Sequence, residues 1–141
     1  MFTFSVYGTP KGQPRIKAYV RGRHAGVYTP DTANAWKMEV RDAFLREHWE
    51  RLEPIDGPVS VTLAFWIGRP KSHLRKDGTL KPSAPEHHAQ KPDADNLAKA
   101  VLDVLTDLRV WEDDAQVHSL AITRGWVENA NAAGCSVTLQ W

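Results

Sequence analysis

The sequence predicts a small single domain of the α/β class, of the α+β type, with two main helices. Its 141 residues suffice for one hydrophobic core and are few for two. Two segments, 31–52 and 95–108, repeat apolar residues at the helical period, whereas other segments alternate apolar and polar residues or are continuously apolar, as strands are. The composition, 42% hydrophobic and 25% charged, is typical of a soluble globular protein.

The N-terminal elements are predicted from short local patterns. Residues 2–7 (FTFSVY) alternate aromatic or β-branched residues with polar ones, which indicates a strand. The Gly- and Pro-rich GTPKGQPR that follows is a loop, and residues 16–30 are typical of a short hairpin around RGRHAG. Asp31 is the predicted N-cap of an amphipathic helix that runs to Leu52.

The C-terminal elements follow the same logic. Residues 59–68 (VSVTLAFWIG) form the strongest predicted strand, too continuously apolar for an exposed edge. Residues 69–92 lack apolar periodicity and are rich in Lys, Arg, His and Pro, so we predict a mobile basic loop with a functional role. The helix 95–108 has one apolar and one polar face. Two further strands, 116–127 and 134–140, complete the chain.

The sequence also indicates the cellular setting. No apolar run approaches the roughly 20 residues of a membrane helix, and the N-terminus lacks the pattern of a signal peptide. Cys135, the one cysteine, lies in an apolar strand-like run, so a buried and unreactive thiol is expected. We therefore expect a protein of the reducing cytoplasm that has no membrane partner.

Charge is distributed unevenly along the chain. Residues 1–92 carry 15 Lys and Arg against 9 Asp and Glu, whereas residues 93–141 carry 3 against 8. Residues 11–30 hold five basic residues and no acidic one. A basic part beside an acidic part suits a metal-dependent enzyme that acts on a polyanion, although segregation along a sequence need not survive folding.

Seven carboxylates crowd into residues 91–117, KPDADNLAKAVLDVLTDLRVWEDDAQV. The simpler interpretation is structural: an aspartate at the start of the helix caps its free N–H groups, and Lys99 forms an ordinary i,i+4 salt bridge. Capping explains one of Asp93 and Asp95 well, and both less well. It does not explain Asp113 and Asp114, which follow the helix.

A divalent-metal site is the sharper interpretation. Mg²⁺ prefers oxygen ligands and commonly takes one or two carboxylates together with substrate phosphate oxygens. An ammonium at Lys99 could offset charge that builds up on a phosphorane-like transition state. For Asp114 to reach Asp93 and Asp95, the returning strand must run back beside the start of the helix, or the helix must end sooner. The sequence does not decide between these two arrangements.

Other chemistries fail on spacing. An EF-hand that begins at Asp93 would need Gly and Glu where the chain has Ala98 and Val104. A zinc site would need paired Cys or His, and the adjacent His87 and His88 are poorly placed to share a metal. The chain also has neither a phosphate-binding P-loop motif nor a serine nucleophile elbow.

The motif KPDADNLAKAVLD, followed by WEDDAQV, resembles the RusA-type Holliday junction resolvases, metal-dependent endodeoxyribonucleases of bacteria and their phages. The GQPR loop, VYTP and the long helix that follows also resemble that family. The resemblance implies a RusA-like fold with a mixed β-sheet, a homodimer and four-way junction DNA as substrate. It also implies Mg²⁺, with Mn²⁺ as an alternative. Its catalytic residues would be Asp93, Asp95, Lys99 and Asp114, the three aspartates being the metal ligands.

The basic residues gain a role from this resemblance. Eight of them, on the predicted hairpin, just before it and on the 69–92 loop, are candidates for DNA phosphate contacts. They are Arg15, Lys17, Arg21, Arg23, Lys71, Arg75, Lys76 and Lys81. Three rival interpretations stay open: a metal-dependent nuclease that acts on other branched or duplex DNA, a non-catalytic DNA-binding protein, and a nucleotide-sugar transferase. The last is disfavoured because the chain is short.

Overall fold

The computed structural model of the chain describes residues 1–50 and 53–141. Across these residues the chain forms six strands and two α-helices, and the predicted α+β fold with a mixed sheet and two main helices is confirmed. The strands are β1 (Phe2–Tyr7), β2 (Lys17–Arg21), β3 (His24–Tyr28), β4 (Val59–Gly68), β5 (Val117–Val127) and β6 (Gly134–Gln140), and the helices are α1 (Asn34–His48) and α2 (Ala94–Asp107).

The main sheet has four strands in the order β1-β6-β4-β5. Strand β4 pairs antiparallel with β6 and parallel with β5, so it lies inside the sheet, as its apolar sequence predicted. A parallel pair needs a long crossover connection. Here that connection contains the basic loop 69–92, helix α2 and an acidic turn over residues 112–116, so the fold gathers all the predicted catalytic residues into one crossover.

Both helices contribute to a hydrophobic core on one face of this sheet. Val61, Leu63 and Phe65 alternate along β4 with more exposed residues, and they are at most 1% exposed. They share the core with the apolar faces of the helices, which include Val40 of α1 and Val101 of α2. Burial of one valine or leucine side chain contributes roughly 1.5–3 kcal/mol, so this packing fixes α2 and leaves its polar face outward.

The first helix is shorter than predicted. It begins at Asn34 with Ala33 at the N-cap position, so the prediction that Asp31 caps the helix is wrong. The backbone carbonyl of Asp31 instead accepts a hydrogen bond from the Asn34 N–H at 3.0 Å, which closes a turn before the helix. The helix ends at His48, and the predicted end at Leu52 falls outside the described residues.

The basic loop 69–92 is anchored on β5 through Trp126. The rings of His73 and His88 lie 5.0 Å and 4.4 Å from the Trp126 ring, measured between centroids. The Arg69 guanidinium lies 5.6 Å from the same ring and donates a hydrogen bond to the Pro85 carbonyl at 2.7 Å. Aromatic and cation–π contacts thus attach a loop that has little regular structure of its own.

Two further expectations concern the thiol and the membrane. Cys135 is buried in β6, as predicted, and burial raises the pKa of its thiol to about 12, as expected of an unreactive thiol. Among the described residues, neither helix has the length and apolar character that crossing a bilayer requires.

Candidate active site

Lys99 lies at the centre of a group of carboxylates on the polar face of α2. Its Nζ donates to Asp103 Oδ1 at 2.7 Å, one turn further along the helix, and to Asp114 Oδ2 at 3.4 Å. The hydrogen bond to Asp103 is the main reason that the pKa of Lys99 is raised, and Asp114 adds to it. Lys99 is therefore a stable ammonium whose side chain is about half exposed to solvent.

The position of Asp114 settles which way the chain returns. The acidic turn does come back beside α2, but it meets the middle of the helix, at Lys99 and Asp103, rather than its start. Asp95 lies one turn before Lys99, and Asp93 lies about 9 Å before it along the axis, at 1.5 Å per residue. Asp95, Lys99 and Asp103, which are four residues apart, thus form a stripe along one side of the helix, and Asp114 meets it at Lys99. Asp93 lies before this stripe and lines a different cleft.

The two adjacent aspartates of the acidic turn have different roles. Asp113 caps a short turn over Asp114–Gln116, where its Oδ1 accepts from the Ala115 N–H at 2.7 Å. Asp114 instead directs its Oδ2 toward Lys99. This division favours Asp114 over Asp113 as the carboxylate that is available for chemistry.

Gln116 holds the acidic turn in place, and the sequence reasoning did not identify it. Its Nε2 donates to the carbonyls of Ile55 and Gly57 at 2.9 Å and 2.8 Å. Its Oε1 accepts from the N–H groups of Glu112 and Asp113 at 2.9 Å and 3.2 Å. The carboxylates of the WEDDAQV motif are the sequence's candidates for chemistry. The neutral amide of Gln116 positions those carboxylates, since it can donate and accept hydrogen bonds at once.

Asp93 occupies the N-cap position of α2 without acting as a cap. Within the described chain, its carboxylate makes no hydrogen bond to the N–H groups of the first turn, so capping does not explain this aspartate. The side chain is 45% exposed, with Lys91 Nζ at 3.8 Å. The carboxylate is therefore available to bind a ligand.

The GTPKGQPR loop packs beside Asp93. The Gln13 N–H donates to the Asn96 carbonyl at 2.9 Å, and a side chain at Gly12 would place its Cβ only 3.0 Å from the Asn96 Cβ. Lys11 and Asp93 line the same open cleft, of about 420 Å³. The glycine thus permits a close approach that brings a basic residue to the start of α2.

Arg124 fixes the chain immediately before Asp93. From β5, its Nη1 donates to the carbonyls of Gln90 and Pro92 at 2.9 Å and 3.0 Å and lies 3.1 Å from His88 Nδ1. His88 is only 5% exposed, and burial, with the nearby guanidinium, lowers the pKa of its imidazole. His88 is thus a neutral anchor. A lone arginine in a strand gave no sequence signal for this role.

The carboxylates suit a hard divalent cation by their chemistry. Asp103 Oδ1 and Asp114 Oδ2 lie no more than about 6 Å apart, since both contact Lys99 Nζ. No group of three Asp, Glu, His or Cys side chains among the described residues is close enough to hold a metal. Mg²⁺ commonly takes one or two protein carboxylates and fills its remaining positions with water and phosphate oxygens. The donors therefore fit Mg²⁺, although Asp93, Asp95 and Asp114 do not converge on one point.

All eight basic residues predicted to contact DNA are exposed. They divide between two parts of the surface, the hairpin region 15–23 and the loop 69–92. None of the eight takes part in the ion pairs of the described residues, whose basic members are Lys91, Lys99 and Arg109. They are free to meet phosphates.

Comparison with known protein families shows to which family this chain belongs. Residues 7–139 match the family described as Endodeoxyribonuclease RusA, which is nearly the whole chain. The chain belongs to the RusA family. It is therefore an endodeoxyribonuclease, an enzyme that hydrolyses phosphodiester bonds in DNA, and the predicted family and activity are confirmed. RusA nucleases generally depend on divalent metal, and the family implies a branched DNA substrate. No match was found among curated protein sequences.

Replacement of Gln116 by leucine is expected to lower both stability and activity. It removes four hydrogen bonds and leaves the buried carbonyl of Ile55 without its donor, at a cost of about 2 kcal/mol. DNA cutting should fall about tenfold at a temperature where the protein stays folded, with DNA affinity unchanged, because Asp114 loses its fixed position. Thermal melts and single-turnover cutting assays measure the two effects. Gln140→Leu, at the exposed end of β6, is the control, and equal loss in both variants would contradict this role.

Proposed function

We propose that this RusA-family nuclease resolves Holliday junctions by Mg²⁺-dependent, paired phosphodiester hydrolysis during DNA recombination and repair. The observation that carries the proposal is the exposed stripe along α2. It presents Asp95, Lys99 and the returning Asp114 together on one side, while the core holds the opposite face of the helix. Carboxylates for a metal and an ammonium for a phosphate are the groups that this hydrolysis needs.

Three aspartates are the proposed metal ligands. When bound, Mg²⁺ would activate a water and stabilise the leaving oxygen of the phosphodiester. Asp93 and Asp95 extend from the first turn of α2, and Asp114 approaches from the acidic turn. Asp93 and Asp95 make no contact with Lys99 in the described chain, whereas Asp114 shares Lys99 with Asp103.

Lys99 is the proposed catalytic cation. With Asp114 as a metal ligand, Lys99 would exchange its contact with that aspartate for one with the scissile phosphate. The 3.4 Å contact with Asp114 is the longer of its two hydrogen bonds and the easier to give up. Asp103 keeps its 2.7 Å bond and holds the ammonium on the polar face.

The substrate is a four-way junction, and the working unit is a homodimer. Two active sites are needed for paired cuts in opposite strands, and one chain offers one stripe. The exposed basic residues of the hairpin and of the loop 69–92 supply phosphate contacts, which position DNA without reading its sequence. A nuclease of other branched DNA would use the same stripe without this paired geometry.

One experiment tests these points together. The protein is incubated with a synthetic four-way junction, a fork or a linear duplex, each with Mg²⁺, Mn²⁺ or EDTA. We expect paired symmetric nicks in the junction with Mg²⁺ or Mn²⁺ and none with EDTA, and a dimer by light scattering. Equal cutting of fork and junction would overturn the junction assignment. Cutting in EDTA would overturn the metal mechanism.

A further inference from the structure

The hairpin of β2 and β3 has two chemically different faces. Nine of its ten residues are exposed, so both faces are open. Side chains alternate between faces along each strand, and the pairing register assigns them. The first face, here called the aromatic face, carries Lys17, Tyr19, Arg21, His24 and Tyr28, and the second carries Ala18, Val20, Ala25 and Val27.

The aromatic face is built with a defined geometry. The rings of Tyr19 and Tyr28 lie 6.1 Å apart, and the Arg21 guanidinium lies 6.0 Å from the Tyr19 ring. Gly26 is paired with Tyr19, and a Cβ at this glycine would lie 2.7 Å from the tyrosine ring. The glycine therefore lets the ring lie against the bare backbone of β3, an arrangement in which an aromatic residue covers a strand glycine.

Two rings in fixed positions remain nearly half exposed to water. Tyr19 is 42% exposed and Tyr28 is 49% exposed, and Lys17 is directly paired with Tyr28. Each ring thus has a cation beside it. The whole segment 11–30 carries five basic residues and no acidic one. Exposed aromatic rings within a strongly positive surface suit a ligand that offers π-faces and phosphates together, which is single-stranded nucleic acid.

We infer that the aromatic face stacks on unpaired bases at the branch point of the DNA substrate. This inference rests on the proposed function and names the part of the junction that the hairpin contacts. Bases within a paired arm already stack on their neighbours, whereas bases at a branch can offer a free face. Tyr19 and Tyr28 contact the bases, and Arg21 and Lys17 contact the flanking phosphates. The hairpin thereby distinguishes the branch from the arms.

Photocrosslinking tests the contact on the unmodified protein. Iododeoxyuridine is placed at the branch point of a junction or, as a control, in the middle of one arm, and irradiation is carried out in EDTA so that the DNA stays intact. We expect crosslinks from the branch point to the tryptic peptides 18–21 and 24–37, which hold Tyr19 and Tyr28. Crosslinks from the arm alone, or to other peptides only, would overturn the inference.

Substitution provides a second, independent measurement. The double variant Tyr19→Leu, Tyr28→Leu should bind the junction at least about 30-fold more weakly and paired duplex unchanged, since each lost stacking contact weakens binding about fivefold or more. The matching double phenylalanine variant should bind like the original protein, because the ring remains. Tyr7→Leu, at the exposed C-terminal end of β1, is the control. Equal weakening on duplex, or loss in the phenylalanine variant, would contradict stacking.

If the unchanged protein binds but fails to cut junctions, the proposed function fails while the stacking result stands.

Discussion

Replacement of Asp95 by asparagine should abolish DNA cutting while leaving DNA binding in place. Asp95 is exposed in the first turn of α2 and takes no part in the ion pairs of the described residues, so the change costs little stability. The asparagine amide keeps the size of the side chain but lacks its negative charge, so the site binds a hard divalent cation more weakly. We expect at least about a 10³-fold slower single-turnover rate, equivalent to about 4 kcal/mol of barrier.

The measurement needs a matched control and a metal readout. Asp42→Asn, at an exposed position of α1, makes the same chemical change away from the stripe and should cut at the original rate. Metal binding is followed directly by isothermal titration with Mn²⁺, where Asp95→Asn should bind more weakly than Asp42→Asn. If Asp95→Asn cuts junctions normally, the metal role assigned to the stripe is wrong.

Local patterns in the sequence predicted the elements because each element buries one face, and that burial sets the period at which apolar residues recur. The alternation in FTFSVY and the continuous apolar run VSVTLAFWIG follow from the face that each strand buries, and both strands appear at β1 and β4. Helix α2 begins within one residue of its predicted start, because its apolar face packs on the sheet. The prediction that Asp31 caps α1 was wrong, because the start of a helix depends on backbone turns that the residue type alone does not specify.

The geometry of the site could be predicted only in part. Asp95 and Lys99 lie on the same side of α2 because they are four residues apart, so the sequence was sufficient to predict this alignment. The meeting of Asp114 with Lys99 depends on how the crossover between two parallel strands closes, which is a property of the sheet. Gln116 and Arg124 act on backbone carbonyls far away in sequence, and no spacing rule indicates such partners.

Replacement of Lys99 by methionine should slow cutting about 10²-fold with DNA affinity nearly unchanged. The change removes the one cation that touches Asp103 and Asp114 in the described structure. Preorganised charge of this kind commonly contributes several kcal/mol to a transition state. Lys37→Met is a matched control, because Lys37 lines the cleft that also contains Lys99 and Asp114 but makes neither of these contacts. Single-turnover cutting at saturating protein separates the two variants.

A variant that keeps the charge, measured together with the pH dependence, distinguishes a catalytic ammonium from a structural ion pair. The pKa of Lys99 is raised above its usual 10.5, so the side chain keeps its charge at every pH up to that value. Its ion pairs stabilise the fold fully below the unfolded pKa and are lost only as pH rises through the folded pKa. Cutting by the original protein should therefore show no loss from Lys99 deprotonation between pH 7 and about pH 9.5.

Lys99→Arg keeps the charge but not the compact ammonium, so it should melt like the original protein and cut more slowly. Full cutting by Lys99→Met would show that the ammonium only balances the carboxylates beside it.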